Sequence, residues 1–323
     1  MALIHLDRKS GIPLLGLAYI GIIARNQNSL LQIRPTTLCN LSCPFCSTDG
    51  GPGTKRQNQY VVELSYLLDW VREIVAYYGG LNWAHIDSVG EPFMYPQLVE
   101  LVAGLKRVPG IRKVSMVTNG GLLSEEKIQQ LVDAGLDKIN ISLHSLDAEK
   151  SRMLFGSASY DVEKVIVAIK LLKKTMIEVW LVPVYLPGVN KEDVEQIIAF
   201  AKEHDCKLGI QKYEIHRYGR KMKGVNVQDY IQFEEQLRKW GQQFGVGLLQ
   251  NAGDLSLQRV RELPQNLKKG NVVQAKIKAA GWMNGQSIGV VGNRAVTLLK
   301  GVSSGKTMKA RVQESNHNIY ILR

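Results

Sequence analysis

Cys39-Asn40-Leu41-Ser42-Cys43-Pro44-Phe45-Cys46 puts three thiols within eight residues. Three thiolates so close can grip an iron-sulfur cluster and leave one iron unclaimed, because iron is soft enough to prefer thiolate and a fully enclosed cubane takes four cysteines. An open iron is where a ligand that is not protein enters. The competing reading is zinc, whose structural sites want a closed set of four ligands, commonly two separated pairs. The segment offers three and no histidine nearby, so Asp49 or the distant Cys206 would have to complete a tetrahedron. With four cysteines in all and no apolar run long enough to span a bilayer, the composition fits a reducing, cytoplasmic setting without a membrane partner.

Outward from the cysteines, the chain reads as repeated strand-helix units. Apolar runs suited to buried parallel strands fall at Leu31 to Ile33, Ala84 to Val89, Lys113 to Val117, Lys138 to Leu143, Val179 to Leu186 and Leu208 to Tyr213. Helical periodicity lies between them, as at Val61 to Val75 and Val162 to Leu172, then at Val194 to Ala201 and Tyr230 to Trp240. Six such units, joined by right-handed crossovers, predict an α/β core that closes part of a TIM-type barrel, a partial (β/α)6 barrel over residues 31–245. The cysteine loop follows the first strand. The thirty residues before it form an extension without an assigned role, whose apolar run Ile12 to Ile23 is broken by Pro13, Gly16 and Gly21 and is expected to pack under the barrel.

Charge divides the chain again. The net charge is +12, and Gln265 to Arg323 carries +9 of it, with ten basic residues against Glu314 alone. A linker over 246–269 therefore joins two differently charged bodies. The second, 270–323, alternates short runs at Val272 to Ile277, Gln286 to Val290, Ala295 to Leu299, Lys306 to Val312 and Ile319 to Leu322 with glycine- and asparagine-rich turns. That pattern predicts a small, all-β, OB-like barrel of five strands. A basic module of this kind suits RNA phosphates, with Lys276, Lys306, Lys309 and Arg311 as candidate contacts.

The spacing of the three cysteines, with Phe45 directly before the last, resembles the radical SAM superfamily, and the strand ends extend the likeness. After the second strand stands Ser88-Val89-Gly90-Glu91-Pro92, similar to that family's Gly-Glu-Pro motif; after the third, Thr118-Asn119-Gly120; after the fourth, Asn140-Ile141-Ser142-Leu143-His144. The resemblance implies one 4Fe-4S cluster on Cys39, Cys43 and Cys46. It also implies S-adenosyl-L-methionine on the open iron, reductively cleaved to a 5'-deoxyadenosyl radical with electrons from a donor such as ferredoxin or flavodoxin. Phe45, Gly90, Glu91, Pro92, Asn119 and Ser142 are then the cofactor-binding residues. Bland readings stand beside these: Asn119-Gly120 is a good turn pair, and a strand serine often only fills space.

The C-terminal body resembles the TRAM domain of RNA-modifying enzymes, and nearly the whole chain after Leu31 resembles an archaeal radical SAM group that bears one. This implies modification of a nucleotide in RNA, tRNA above all. The basic run Lys212-Tyr213-Glu214-Ile215-His216-Arg217-Tyr218-Gly219-Arg220-Lys221 at the sixth strand end adds Lys212, Arg217, Arg220 and Lys221 as candidate substrate contacts. Only Cys206 is left uncommitted, near the start of the sixth strand and expected in the core, so neither a second cluster nor a methyl-carrying thiol is expected. No catalytic residue beyond the cofactor set is assigned. On this reading, removal of residues 265–323 would abolish tRNA binding and spare cleavage of S-adenosylmethionine. The alternatives are a radical SAM enzyme for a protein or an anionic small molecule, and a non-catalytic iron-sulfur RNA-binding protein.

Overall fold

Strands β1 (Ala2–Leu6), β2 (Gly21–Ala24), β3 (Leu30–Arg34) and β4 (Asn58–Val62) precede helix α1 (Leu64–Tyr78) in the computed structural model, which describes residues 1–25, 28–249 and 257–323. There follow β5 (Leu81–Ile86), α2 (Leu98–Lys106), β6 (Ile111–Thr118), α3 (Glu125–Asp133), β7 (Lys138–Ile141), α4 (Ala148–Phe155) and α5 (Val162–Leu172). Next come β8 (Glu178–Leu181), β9 (Val184–Tyr185), α6 (Lys191–Glu203), β10 (Lys207–Leu208), β11 (Gln211–Lys212) and α7 (Tyr230–Phe244). The last five strands are β12 (Val272–Ala280), β13 (Ser287–Val291), β14 (Arg294–Leu298), β15 (Thr307–Glu314) and β16 (Ile321–Leu322). The described residues fall into two compact units, one within Met1–Cys39, Gly53–Val114 and Leu257–Arg323, the other within Asn40–Pro52 and Ser115–Ser256.

In the first unit β3 pairs antiparallel with β2 and parallel with β5, and Leu31, Ile33, Ala84 and Ile86 of the latter pair are fully buried. Leu31 pairs with Ala84 and Ile33 with Ile86, so these four side chains share one buried face of the sheet. Helix α1 starts later than the periodicity predicts. Val61 and Val62 belong to β4, which runs parallel to β1, and the Glu63 carboxylate caps the helix by accepting from the N–H groups of Ser65 and Tyr66. Its apolar stripe of Leu67, Leu68, Val71, Ile74 and Val75 is buried, and Gly79 ends it in the left-handed region at φ 76°.

The same unit contains a closed barrel in the order β12-β13-β14-β16-β15. Ala275, Ile277, Val296, Leu298, Ala310, Val312, Tyr320 and Leu322 form its core. The N-terminal apolar run, expected beneath the larger barrel, packs on this small one. Leu15 O accepts from Ala295 N–H at 3.0 Å and Gly16 O from Tyr320 N–H at 2.9 Å. Gly16 has φ +131°, and a Cβ there would stand 1.9 Å from Ala295 O, so only glycine permits this approach. Residues 1–25 thus belong to one compact unit with the C-terminal strands.

In the second unit β6, β7, β8 and β10 lie side by side, all parallel, and β9 pairs with β11. The fifth and sixth expected strands are each broken in two. Pro183 has no N–H to continue a ladder, and its carbonyl instead accepts from Gln211 N–H at 2.8 Å. Helix α5 occupies the predicted span, and the two later periodic stretches lie within α6 and α7. Helices α2, α3 and α4 are eight or nine residues long, too short for the period to stand out. The architecture is thus an α/β fold with a parallel-strand sheet and a separate five-strand β-barrel at the C-terminal end. Residues 250–256 of the expected linker lie outside the described residues. No helix among the described residues is long and apolar enough to cross a membrane.

Candidate functional site

The cysteine loop belongs to the second unit from Asn40 to Pro52 and is held there by named contacts. Ser42 N–H donates to Phe155 O at 3.0 Å, and Gly156 passes so close that a Cβ would meet Ser42 O at 2.2 Å. Phe45 is 7 % exposed and meets the His144 ring edge-on at 5.0 Å between centroids. His144 in turn accepts from Val184 N–H at Nδ1, at 3.1 Å, and burial pushes its pKa down to about 3. The imidazole is therefore neutral, with the proton on Nε2. All four cysteines are partly exposed thiols, none of them in a disulfide. Gly50 N–H points at Cys46 Sγ from 3.3 Å, a donor of the kind that tunes a cluster sulfur.

Arg220 ties this loop at four points. Its Nε lies 2.7 Å from Asp49 Oδ1, its two terminal nitrogens donate to the carbonyls of Cys43 and Pro52 at 3.2 Å each, and its own N–H donates to Cys46 O at 2.7 Å. That guanidinium is engaged inside the protein, and the Asp49 carboxylate that zinc would have needed faces it. Lys212 is engaged as well, 3.6 Å from Glu214 and 4.8 Å from the Tyr230 ring centroid. Arg217 and Lys221 are exposed.

Asn119, at the end of β6, donates from Nδ2 to Asn40 Oδ1 at 2.9 Å and accepts from Gly121 N–H at 2.9 Å. It thus braces the residue that follows Cys39. Ser142, just beyond β7, is half-buried, and its N–H donates to Thr118 O at 2.8 Å. Cys206 is half-buried rather than in the core, ahead of β10, and burial pushes its pKa up to about 11. Burial of this kind disfavours the thiolate, the reactive form of a cysteine.

Cys39 and the Gly-Glu-Pro segment lie in the first unit. Glu91 N–H donates to Leu38 O at 2.7 Å, and a Cβ on Gly90 would stand 2.0 Å from that same oxygen. Glycine is what lets the end of β5 touch the end of β3 directly before Cys39. Glu91 is 2 % exposed and caps the short turn of Pro92–Met94 by accepting from Phe93 N–H. Next to it, Ser88 Oγ is buried without a hydrogen-bond partner among the described residues. Below this lies Asp87. Burial pushes its carboxyl up, and Arg34 at 3.0 Å outweighs that and holds it below the usual carboxylate range.

In the small barrel, adjacent strands β12 and β15 pair Gln274 with Lys309, Lys276 with Thr307 and Val272 with Arg311. All six are exposed, so Lys276, Lys309 and Arg311 share one outward face, with Lys306 exposed at its end. Period-two alternation finds this face, because Ala275, Ile277, Ala310 and Val312 between them are buried. Sequence reasoning missed Asn40, Arg56 and Trp282. No motif marks them, since each works through contacts with residues far away in sequence.

Residues 33–201 match the radical SAM superfamily. An uncharacterized protein of Methanocaldococcus jannaschii is 31 % identical over 339 residues, covering 96 % of this chain and 78 % of that protein. The chain belongs to the radical SAM superfamily. A GTP 3',8-cyclase of Chlorobaculum tepidum is 31 % identical over 209 residues, and the alignment covers 62 % of this chain and 60 % of the cyclase. Among solved structures, Streptococcus suis SuiB bound to S-adenosylmethionine superposes with a TM-score of 0.51 at 19 % identity, over 75 % of this chain and 48 % of SuiB. Methylornithine synthase does so with 0.51 at 14 %, over 76 % and 77 %. These structural likenesses bear on the fold.

Membership implies a 4Fe-4S cluster and S-adenosylmethionine, and the residues fit both. The donor set is three thiols of soft sulfur outside any disulfide, and Ser88 Oγ is a buried polar atom without a partner among the described residues. Among the described residues no three His, Cys, Asp or Glu side chains converge tightly enough to hold a single metal ion. A cubane, whose thiolates bind separate irons, asks for a wider spread than one ion does.

Proposed function

We propose that this protein is a radical SAM enzyme that modifies a nucleotide in RNA, tRNA in particular. Cys39, Cys43 and Cys46 would hold the cluster, and Gly90, Glu91, Pro92, Ser142 and Phe45 would surround S-adenosylmethionine. When bound, that pair supplies one-electron cleavage of the sulfonium and hydrogen abstraction from an unactivated carbon, which no side chain can perform. The chain's own part is to hold and shield. Gly90 brings the second strand end against Leu38 O, a carboxylate such as Glu91 suits an ammonium group, and neutral His144 backs Phe45 without adding charge beside the cluster. Asn119, committed to Asn40, acts by positioning the loop.

The observation that supports RNA is the outward face of β12 and β15, where Lys276, Lys309 and Arg311 stand on neighbouring strands with Lys306 beside them. Cations at strand spacing match a polyanion backbone, and this end of the chain carries +9. Arg217 and Lys221 are the remaining exposed candidates. A TRAM-like, OB-type reading of this barrel belongs to the same proposal, as do a cytoplasmic setting and a protein electron donor.

A second reading, an anionic small molecule as substrate, is favoured by the likeness to a GTP 3',8-cyclase over the core. One experiment tests both. The cluster-loaded protein is reduced with S-adenosylmethionine, and 5'-deoxyadenosine is measured with tRNA, with GTP and with neither. Stimulation by tRNA supports the first reading, stimulation by GTP alone the second.

A further inference from the structure

Arg56 is 3 % exposed. One terminal nitrogen of its guanidinium donates to Thr37 O at 2.7 Å and Gln59 Oε1 at 3.4 Å, the other to Val89 O at 2.6 Å. Thr37 stands two residues before Cys39, and Val89 one residue before Gly90. One side chain therefore clasps the backbone at the approach to a cluster cysteine and at the approach to the Gly-Glu-Pro segment.

The face of the same guanidinium lies 4.7 Å from the Trp282 ring centroid, and Trp282 belongs to the connection between β12 and β13 of the small barrel. Trp282 is itself fixed: it stacks on Tyr19 at 4.9 Å and 17°, and its carbonyl accepts from Gln57 N–H at 2.8 Å. A planar cation can donate in its plane to two carbonyls and still present a face to an indole, and an ammonium cannot do both.

We infer that Arg56 and Trp282 are positioning residues for the cofactor site, through which the C-terminal barrel holds the Thr37 and Val89 carbonyls where the strand ends accept S-adenosylmethionine. This rests on the proposal that Gly90 and Glu91 contact that ligand. The barrel is on this view a structural part of the catalytic machinery as well as a substrate surface. Arg56 and Trp282 do not touch the reacting atoms; they set the carbonyls that fix the residues which do.

The test uses the full-length, cluster-loaded protein with the cluster oxidised, so that S-adenosylmethionine binds without turnover. Its affinity is measured by calorimetry, and the change it causes in the electron paramagnetic resonance spectrum of the reduced cluster is recorded separately. Arg56→Lys and Trp282→Ala are expected to weaken binding on the order of tenfold, the worth of one charge-assisted hydrogen bond, and to blunt the spectral change. Trp282→Phe, which keeps an aromatic face, is expected to restore most of it, and iron content should match wild type throughout. If Trp282→Ala does not fold, Arg56→Lys against Trp282→Phe carries the comparison. Wild-type affinity in Arg56→Lys, with Glu91→Ala clearly weakened, would overturn the inference and leave the site reading intact. Wild-type affinity in Glu91→Ala would instead remove the site reading, and this inference with it.

Discussion

Arg220 Nε lies 2.7 Å from Asp49 Oδ1, with the two side chains only 18 % and 6 % exposed. The pair sits on the cysteine loop itself, because Arg220 also reaches the carbonyls of Cys43 and Cys46. Arg220→Ala would leave a buried carboxylate without this partner, which costs about 3 kcal/mol in comparable cases. The expected outcome is a lower melting temperature and faster loss of iron to a chelator, both measured on the cluster-loaded protein. Arg217→Ala, at an exposed position, should change neither.

His144 gives a pH signature. Its folded pKa is depressed to about 3 by burial, against an ordinary value of 6.5, so the unfolded chain takes up a proton that the folded chain refuses. The contribution is fully present above about 6.5 and is lost as pH falls toward 3, with a slope of up to about 1.4 kcal/mol per pH unit. His144→Asn, which keeps an acceptor for Val184 N–H, should flatten that limb of the stability curve. Denaturant melts between pH 7 and pH 5 measure it.

The small barrel should not behave as a removable appendage. Deleting 265–323 would strip the surfaces that cover Leu15, Tyr19 and Arg56, all buried within one compact unit. The truncated chain is therefore expected to aggregate or melt early, and not simply to lose RNA binding with cleavage spared. Gly16→Ala makes the same point with one atom: a Cβ 1.9 Å from Ala295 O at φ +131° should destabilise by about 3 kcal/mol or more. Thermal melts of both proteins check it.

Lys276, Lys309 and Arg311 share one face, so changing all three to Ala should weaken tRNA binding at every sequence alike. The slope of log affinity against log salt should fall by about 3, near 0.9 for each phosphate no longer neutralised. Filter binding between 50 and 200 mM salt, about the range over which phosphate neutralisation shows, is the measurement. An unchanged slope would take this face out of the substrate path.

Much of the fold is legible in the sequence because buried strands and barrel strands leave strong local patterns. The run from Leu31 to Ile33 and the alternation from Val272 to Ile277 lie within β3 and β12, and the run from Lys138 to Leu143 starts with β7 and passes its end at Ile141. The start of α1 is misread because Val61 and Val62 satisfy the helical period while pairing with β1 as strand. Side-chain commitments are less legible than elements. Arg220 reads as a free cation in a basic run until its geometry ties it to Asp49, and nothing near Arg56 in sequence announces that Trp282, over two hundred residues later, covers its face.

Radical chemistry on RNA would leave a modified nucleoside that depends on this gene. Nucleosides from digested tRNA of cells with and without the gene, compared by mass spectrometry, test it most directly. One modified nucleoside is expected to disappear with the gene and to return with the wild-type chain but not with Cys43→Ser. Identical nucleoside profiles in all three would contradict it.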